Sequence, residues 1–346
     1  MGDSYGRVAA WRRMGGLVLA AAGGFAFGAS AQAGETFTLG YSVGFLQDPF
    51  QVIQVDRTIA EAKQAGLKTL PVANANGDPG KQIADFHNLI AEGAQGIIFV
   101  ARDSEAIVPA LNYAESKKVP AVSIDMGPAG GKAAMVVRAD NIRMGEDACQ
   151  YMGKALGGKG TVLSLMGDQA TLNGRDRTSG FDTCMKKDFS AIKVIEQPTY
   201  WHADKATSIA QTVVTSTPDL GGIYMQSDAV MLAGVLNVLK SAGRLEPAGS
   251  PKHIVLVSID GTPLALQKIR EGWLDASISQ PLDLYVKWGL YYLEAAVKGQ
   301  TFQTGPTDHD SKIEMFQGNP MDLLPAPVVS KANVDDPKLW ANNVKG

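Results

Sequence analysis

From residue 36 onward, short runs rich in β-branched and aromatic residues alternate with longer amphipathic stretches. A chain that alternates in this way builds βα units, whose strands lie parallel because each helix crosses back over the sheet. We therefore predict an α/β protein. The predicted strands span 38–43, 69–73, 96–101, 121–125, 161–166, 193–196, 222–226, 254–259 and 276–279. The predicted helices lie near 50–65, 80–92, 104–118, 142–156, 175–187, 205–216, 229–242, 263–271 and 282–298.

The N-terminus has the three parts of a secretory signal peptide. Arg12-Arg13 precede an apolar, Gly/Ala-rich segment at 17–27, and Ala-Gln-Ala follows at 31–33. The apolar segment is shorter than the ~20 residues that span a bilayer. We predict that residues 1–33 are a signal peptide cleaved after Ala33, which places the mature chain in the periplasm. A twin-arginine signal is the second interpretation of Arg12-Arg13.

Chain length and charge limit the remaining possibilities. Even without the leader, the 346-residue chain exceeds the roughly 250 to 300 residues at which a single core stops growing, so we predict two lobes. The net charge is only −3, from 32 basic and 35 acidic residues, and no Lys/Arg cluster occurs. The sequence therefore argues against a nucleic-acid partner.

The chain has two cysteines, Cys149 and Cys184, which fall in predicted helices on either side of the strand at 161–166. An oxidising compartment favours a disulfide between them. The bridge requires Cα atoms within about 7 Å. The alternative is two buried free thiols, since cysteine also packs as a small apolar residue.

Several predicted strands end in polar residues, notably Asp125, Asp260 and the run Gln226-Ser227-Asp228. The carboxyl ends of parallel strands form the ligand crevice of such sheets, so these residues predict a site for a polar ligand. Their alternative role is helix capping. We find no catalytic signature, and the four histidines lack metal-ligand spacing, so we predict no catalytic residue, metal or cofactor.

The order of the motifs from about residue 37 to 312 resembles the type I periplasmic solute-binding proteins, in particular the ribose-binding group that serves ABC sugar importers. The motifs are Asp48-Pro49-Phe50-Gln51, Asp103-Ser104-Glu105-Ala106, Val119-Pro120-Ala121-Val122-Ser123-Ile124-Asp125, Asp140-Asn141, Arg175-Asp176-Arg177-Thr178-Ser179-Gly180-Phe181, Gln226-Ser227-Asp228, Ile259-Asp260-Gly261-Thr262-Pro263 and Ser279-Gln280-Pro281.

The resemblance implies two Rossmann-like lobes with parallel sheets, joined by a hinge that the chain crosses three times. Lobe one then comprises residues 34–138 plus 281–311, and lobe two comprises 139–280 with the C-terminal tail at 312–346. The implied function is binding of a monosaccharide or polyol between the lobes, without catalysis, by a monomer that delivers its ligand to an ABC transporter permease.

The resemblance also implies the ligand-binding residues. Phe50 and Trp201 correspond to the aromatic plates that enclose a sugar ring. Asp125 and Asp260 accept hydrogen bonds from hydroxyl groups, and Arg177 donates them. The full implied set is Asp48, Phe50, Gln51, Asp125, Arg177, Trp201, Ser227, Asp260 and Gln280.

Four positions depart from the ribose-binding pattern. Gln51 replaces an aromatic residue, Met126 replaces an arginine, and Ser227 replaces an asparagine, which argues against ribose itself. Asp48 also stands where the pattern has asparagine. Arg102 is a further candidate, because it would restore positive charge and suit an acidic sugar, unless it forms a salt bridge at the rim.

Three other functions share features with this sequence. Transcription repressors of the lactose-repressor group share the core but carry a helix-turn-helix where this chain has its leader. An exported glycoside hydrolase would use Asp125 and Asp260 as acid and base. An exported sugar sensor for chemotaxis or signalling is compatible with the same sequence.

Overall fold

The structure, a computed structural model, describes residues 36–344. The predicted signal peptide and its cleavage site lie outside these residues. The strands are β1 (Thr38–Val43), β2 (Lys68–Thr69), β3 (Ala73–Asn74), β4 (Gly96–Val100), β5 (Ala121–Ile124), β6 (Met135–Ala139), β7 (Gly160–Met166), β8 (Ile192–Pro198), β9 (Leu220–Met225), β10 (Val255–Asp260), β11 (Ala276–Ser279), β12 (Gly305–Pro306), β13 (Lys312–Phe316), β14 (Asn319–Leu324) and β15 (Val328–Ser330). The helices are α1 (Pro49–Gln64), α2 (Pro79–Ala91), α3 (Val108–Ser116), α4 (Asn141–Ala155), α5 (Leu172–Asp188), α6 (Ala203–Ser216), α7 (Asp228–Ser241), α8 (Pro263–Glu271) and α9 (Leu282–Val297).

The strands form two sheets, which confirms the α/β prediction. The first has the order β12-β13-β14-β6-β5-β4-β1-β2, with β3 also paired to β1, and the second has the order β15-β11-β10-β9-β7-β8. Most pairs are parallel; β12–β13, β13–β14 and β11–β15 are antiparallel. The chain passes between the two sheets three times, between β6 and β7, between β11 and α9, and between β14 and β15.

The first sheet is covered on both faces, as the sequence of β4 shows. All five residues of this strand are buried. Alternate side chains point to opposite faces of a sheet. Ile98 and Val100 accordingly join one apolar cluster, whereas Ile97 and Phe99 join another with Phe86. A continuous apolar strand of this kind is typical of a parallel sheet between two helical layers.

Among the described residues, no helix is long and apolar enough to span a membrane.

Helices α4 and α5 approach closely because glycines line their contact. A Cβ atom on Gly145 would lie 2.3 Å from the carbonyl oxygen of Arg177, and one on Gly180 would lie 2.0 Å from that of Ile142. One turn further along each helix, Cys149 and Cys184 form a disulfide, with their Cα atoms 6.1 Å apart. The two glycines therefore bring the helices near enough for the bridge, which joins two neighbouring helices of the second sheet.

Replacing both cysteines with serine is expected to lower the free energy of unfolding by about 3 kcal/mol, because the bridge closes a loop of 35 residues in the unfolded chain. Urea denaturation of the oxidised wild type and the double variant measures the difference. Under reducing conditions the two curves should nearly coincide. Equal stability in the oxidised state would contradict a stabilising role for the bridge.

The structure differs from the prediction in several elements. The predicted strand at 69–73 is split into β2 and β3, because Pro71 between them has no N–H to donate to a sheet. Strand β6 was not predicted, because Arg138 interrupts its apolar residues; in the structure this arginine is buried with Asp176 as its partner. Helix α3 begins at Val108, four residues later than predicted.

The prediction that the tail lies with lobe two is wrong for residues 312–324. Strand β13 pairs with β14, and β14 extends the first sheet by pairing parallel to β6. Only β15 adds to the second sheet. The third passage between the sheets therefore follows Leu324, instead of lying near residue 311. The alternation of apolar residues in β14 is weak, because Asp322 is buried inside it by hydrogen bonds from Tyr292 and Ser311.

Candidate functional site

Polar side chains from both sheets meet where the strands end. Asp125 follows β5 of the first sheet, and Asp260 ends β10 of the second. They enclose a cavity of about 10 Å³, roughly the space that one water molecule needs. The lining residues are Asp48, Gln51, Asp125, Met126, Asn173, Arg177, Trp201, Ser227, Asp260 and Gln280.

Asp125 and Asp260 have unusual backbone conformations at corresponding places in the two sheets. Their φ angles are 62° and 117°, a region that non-glycine residues rarely adopt and that costs about 1 to 3 kcal/mol. Both side chains are almost completely buried, with 1% and 2% of their surface exposed. The fold thus holds two carboxylates against local backbone preference, which is typical of binding and active sites.

Neutral side chains supply most of the hydrogen bonds to the two carboxylates. Gln51 and Asn173 donate to the two Asp125 oxygens over 2.7 and 2.8 Å. Ser227 and Gln280 donate to the two Asp260 oxygens over 2.6 and 2.9 Å. Burial raises the pKa of Asp125, against the lowering effect of Arg177. Burial also raises the pKa of Asp260, with a smaller contribution from the charge of Asp228.

Arg177 is the one guanidinium in the lining and is itself buried. Its Nε donates to Asn141 over 2.7 Å, and Nη1 donates to the carbonyl oxygen of Gln226 over 2.5 Å. Nη1 also lies 3.7 Å from Oδ1 of Asp260. Nη2 has no hydrogen-bond partner among the described residues. Arg177 therefore keeps a donor available while its other contacts fix the plane of the guanidinium.

Asp48 caps the N-terminus of α1, where its Oδ1 accepts from the N–H of Phe50 over 2.9 Å. Pro49 follows at the first position of the helix, which suits its fixed φ. Burial, reinforced by the charge of Asp125, raises the pKa of Asp48 from 3.8 to about 7. The Asp48 carboxylate thus lines the cleft and accepts one hydrogen bond from the described residues.

Trp201 covers one side of the cavity, and two features of the chain put it there. Tyr200 and Trp201 have φ angles of 58° and 62°, so the chain turns sharply after β8. The indole ring lies against Gly167, where a Cβ atom would be 1.9 Å from the ring. The Arg177 guanidinium lies over the ring, 5.7 Å from its centroid. An aromatic face and a guanidinium thus lie together on one wall of the site.

Two predicted site residues are absent from the lining. Phe50 points into the core, where its ring packs edge-on against Trp340 with centroids 5.6 Å apart, because Asp48 and Gln51 occupy the cleft side of the first turn of α1. Arg102 lies outside the cavity and forms an ion pair with Asp168 over 2.7 Å. Its alternative role as a rim salt bridge is therefore the one observed, and Arg102 supplies no free charge for an acidic sugar.

Asn173 is a lining residue that the sequence reading missed. It precedes Arg177 by four residues on α5, so both side chains lie on one helix face. The predicted helix began only at residue 175 and therefore excluded it. Thr171 is the sequence signal for the true start of this helix, because its hydroxyl caps the helix by accepting a hydrogen bond from the N–H of Gly174.

A larger groove of about 610 Å³ lies between α7 and α8, with Leu236, Leu264 and Trp273 in its lining. It contains no carboxylate, so it offers few acceptors to a hydroxyl-rich molecule. In the part of the chain that the structure describes, no group of three or more His, Cys, Asp or Glu side chains is arranged to hold a metal ion. The strand-end cavity is therefore the candidate site.

Comparisons with known proteins agree with this architecture. The sequence profile of the periplasmic binding protein domain matches residues 39–301. The chain is 28% identical over 278 residues to the ribose import binding protein of Haemophilus influenzae, covering 80% of this chain and 90% of that protein. It is 29% identical to the xylitol-binding protein of Mycolicibacterium smegmatis, with 74% and 73% covered.

Solved structures show the same fold. An ABC transporter solute-binding protein from Mycobacterium smegmatis with bound glycerol superposes with a TM-score of 0.75 at 25% identity, covering 86% of this chain and 96% of that one. The Caulobacter myo-inositol binding protein also gives 0.75, at 22% identity, with 86% and 94% covered. The chain therefore belongs to the periplasmic binding protein domain family and, within it, to the type I group that includes the ribose import binding proteins.

Proposed function

We propose that the mature chain is the periplasmic substrate-binding component of an ABC importer, and that it binds a monosaccharide or polyol between its two halves. The observation that carries the proposal is the pairing of Asp125 and Asp260. They stand at corresponding strand ends of the two sheets, buried, with Arg177 beside Asp260. Two carboxylates and a guanidinium recognise hydroxyl groups through charge-assisted hydrogen bonds, which are about twice as strong as neutral ones.

The remaining lining residues suit the same ligand. Trp201 offers an aromatic face to the apolar C–H face of a ring. Gln51, Asn173, Ser227 and Gln280 both donate and accept hydrogen bonds. In this proposal a ligand hydroxyl replaces a side-chain amide that donates to each carboxylate in the structure. The protein thus exchanges internal hydrogen bonds for hydrogen bonds to the ligand.

Entry of a sugar requires the two halves to separate, because the cavity of about 10 Å³ is far smaller than a sugar ring. We propose that each half moves as a rigid body and that the three chain passages between the sheets act as the hinge. Contacts across the cleft then hold the closed form. Besides the pair Arg102–Asp168, the Ser104 hydroxyl accepts from the N–H of Leu172 over 3.0 Å. Ligand contacts are complete only on closure, so the ligand favours the closed form.

A thermal-shift screen of pentoses, hexoses, polyols and sugar acids tests the proposal. A ligand that binds only the folded protein stabilises it by about 2.7 kcal/mol at a hundredfold excess over Kd. We expect at least one sugar or polyol to raise the melting temperature. If none does, the protein does not bind this class of molecule.

Weakening the ion pair between Arg102 and Asp168 tests the closure step. The Asp168→Asn variant keeps the side-chain oxygen that accepts from Ala170 but loses the charge opposite Arg102. We expect roughly tenfold weaker ligand binding, about 1.4 kcal/mol, measured by calorimetry. The matched control is Glu105→Gln, because Glu105 contacts Arg175 across the same cleft at 4.0 Å with 73% of its side chain exposed and should contribute little. Equal affinity in both variants would contradict the role of this pair.

The named relatives are binding proteins, and we propose that this chain likewise performs no reaction on its ligand. Incubation of the purified protein with glycosides should release no product.

We also propose export through the predicted signal peptide, a monomeric state and delivery to a permease. The same site would serve a sensor for chemotaxis or signalling. Deletion of the permease distinguishes the two roles, because uptake of the ligand then stops whereas a sensor response persists.

A further inference from the structure

The cavity lining carries an excess of negative charge. Three carboxylates, those of Asp48, Asp125 and Asp260, line it with a single guanidinium, that of Arg177. All four side chains are buried, with at most 7% of each residue exposed. When all four groups are ionised, the site therefore has two more negative than positive charges, and burial weakens the screening of that charge by water.

The neighbouring cations do not remove the excess, because each already has a carboxylate partner. Arg102 pairs with Asp168 over 2.7 Å, and Arg138 pairs with Asp176 over 2.8 Å. Arg138 also donates to Asn173 over 2.9 Å. The position after Asp125, where the ribose-binding pattern has an arginine, is Met126 and brings no charge to the lining.

The lining is also short of hydrogen-bond donors near Asp48. This carboxylate receives one hydrogen bond, from the backbone of Phe50. Gln51, three residues further along at the start of α1, also lines the cavity. Its Oε1 is buried and has no partner among the described residues. The start of α1 therefore offers two acceptors, one of them charged, to a ligand group that donates several hydrogen bonds. An ammonium group donates three and carries the missing positive charge.

On the basis of the function proposed above, we infer that the ligand is cationic, an amino sugar or amino polyol whose ammonium group lies against Asp48 and Gln51. Its hydroxyl groups then contact Asp125, Asp260 and Arg177. A neutral sugar would bring no compensating charge, so protonation of a carboxylate would have to remove part of the excess, and an acidic sugar would add to it. Burial is the main cause of the raised pKa of Asp48, and the charges of Asp125 and Asp228 add to it.

The experiment compares neutral and amine-bearing partners of the same skeleton by calorimetry at pH 7.5. The pairs are glucose with glucosamine, galactose with galactosamine, ribitol with 1-amino-1-deoxyribitol, and glucitol with 1-amino-1-deoxyglucitol. N-acetylglucosamine is the control that keeps the nitrogen without its charge. In at least one pair, we expect the amine to bind about tenfold or more tightly than its neutral partner, since one partly buried charge pair is worth at least this much.

Two variants change the charge of the lining. Asp48→Asn removes one carboxylate but keeps a side chain that caps helices equally well, and Met126→Arg adds a cation. In both, the affinity ratio of amine to neutral partner should fall at least about threefold. The matched control is Asp56→Asn on the exposed side of α1, which changes the net charge equally and should leave the ratio unchanged. Binding of the neutral partner reports that each variant is folded.

The outcomes separate the inference from the proposed function. If neutral sugars or polyols bind as tightly as the amines, or sugar acids bind more tightly, the ligand is not cationic and the proposed function stands without this inference. If the ratio is unchanged in Asp48→Asn and Met126→Arg, the lining charge does not select the ligand and the inference is wrong. If neither neutral nor amine compounds bind, the proposed function fails and the inference fails with it.

Discussion

Replacing Arg177 with alanine is expected to weaken ligand binding by about 2 to 5 kcal/mol, the range for removing one partner of a buried, charged hydrogen bond. Arg177 is the single cation in the lining and stands 3.7 Å from Asp260. Its free Nη2 is the donor that a ligand oxygen would use. Calorimetry with the compound found in the ligand screen measures the loss. A reduction below about 1 kcal/mol would mean that the ligand does not use this guanidinium.

The control for this variant is Lys187→Ala, which removes a positive charge from an exposed position near the end of the same helix. It should bind ligand as tightly as the wild type. Because removing Arg177 also leaves buried carboxylates without their cation, the melting temperature without ligand has to be recorded for both variants. If Lys187→Ala weakens binding equally, the effect of Arg177 is long-range and does not come from contact with the ligand.

Asp48→Asn is expected to stabilise the ligand-free protein at pH 8 by up to about 4 kcal/mol, and to have little effect on its stability near pH 4. The pKa of Asp48 is about 7 in the folded protein, against 3.8 for the ordinary carboxyl. Each unit of difference corresponds to about 1.36 kcal/mol. Between these two values the folded protein holds a proton that the unfolded chain has released. The stability of the wild type therefore falls as the pH rises from about 4 to about 7.

The groups that face Asp48 act on its pKa in both directions. The charges of Asp125 and Asp228 raise it, whereas the N–H of Phe50 and the charge of Arg177 lower it. Urea denaturation of the wild type and the variant at pH 4, 6 and 8 isolates the contribution of Asp48, because the other groups are common to both. The exposed-site variant Asp56→Asn is the control for the loss of one negative charge, and its difference from the wild type at pH 8 should be much smaller than that of Asp48→Asn. A constant difference between Asp48→Asn and the wild type across this range would show that Asp48 titrates normally.

The alternation of strands and helices was enough to predict the fold, because most of the predicted strands are apolar runs buried along nearly their whole length, as in β4, β5, β10 and β11. The failures have local causes. β6 contains Arg138, whose burial depends on Asp176, 38 residues away. β14 contains Asp322, which is buried by partners on α9 and in the preceding loop. A charge that is satisfied by a distant partner is invisible in a window of neighbouring residues.

The difference between local and distant partners also separates the site residues that the sequence predicted correctly from those that it did not. Asp125 directly follows β5, Asp260 is the last residue of β10 and Ser227 comes two residues after β9, so the topology of parallel sheets brings them together. The direction of Phe50 depends on the helix cap at Asp48, which turns Gln51 to the cleft and Phe50 to Trp340. Trp340 is 290 residues further along the chain, so this contact follows from tertiary packing alone. The pairing of Arg102 with Asp168 likewise requires the two halves to be in contact.

The most direct test of binding between the two sheets is a calorimetric titration of the wild type and of the double variant Asp125→Asn, Asp260→Asn with the best compound from the ligand screen. These substitutions keep the size of each side chain and remove one carboxylate from each sheet. We expect one ligand to bind each wild-type chain, and the double variant to show no measurable binding at the same concentrations. Unchanged affinity in a folded double variant would place the ligand elsewhere and contradict the site described here.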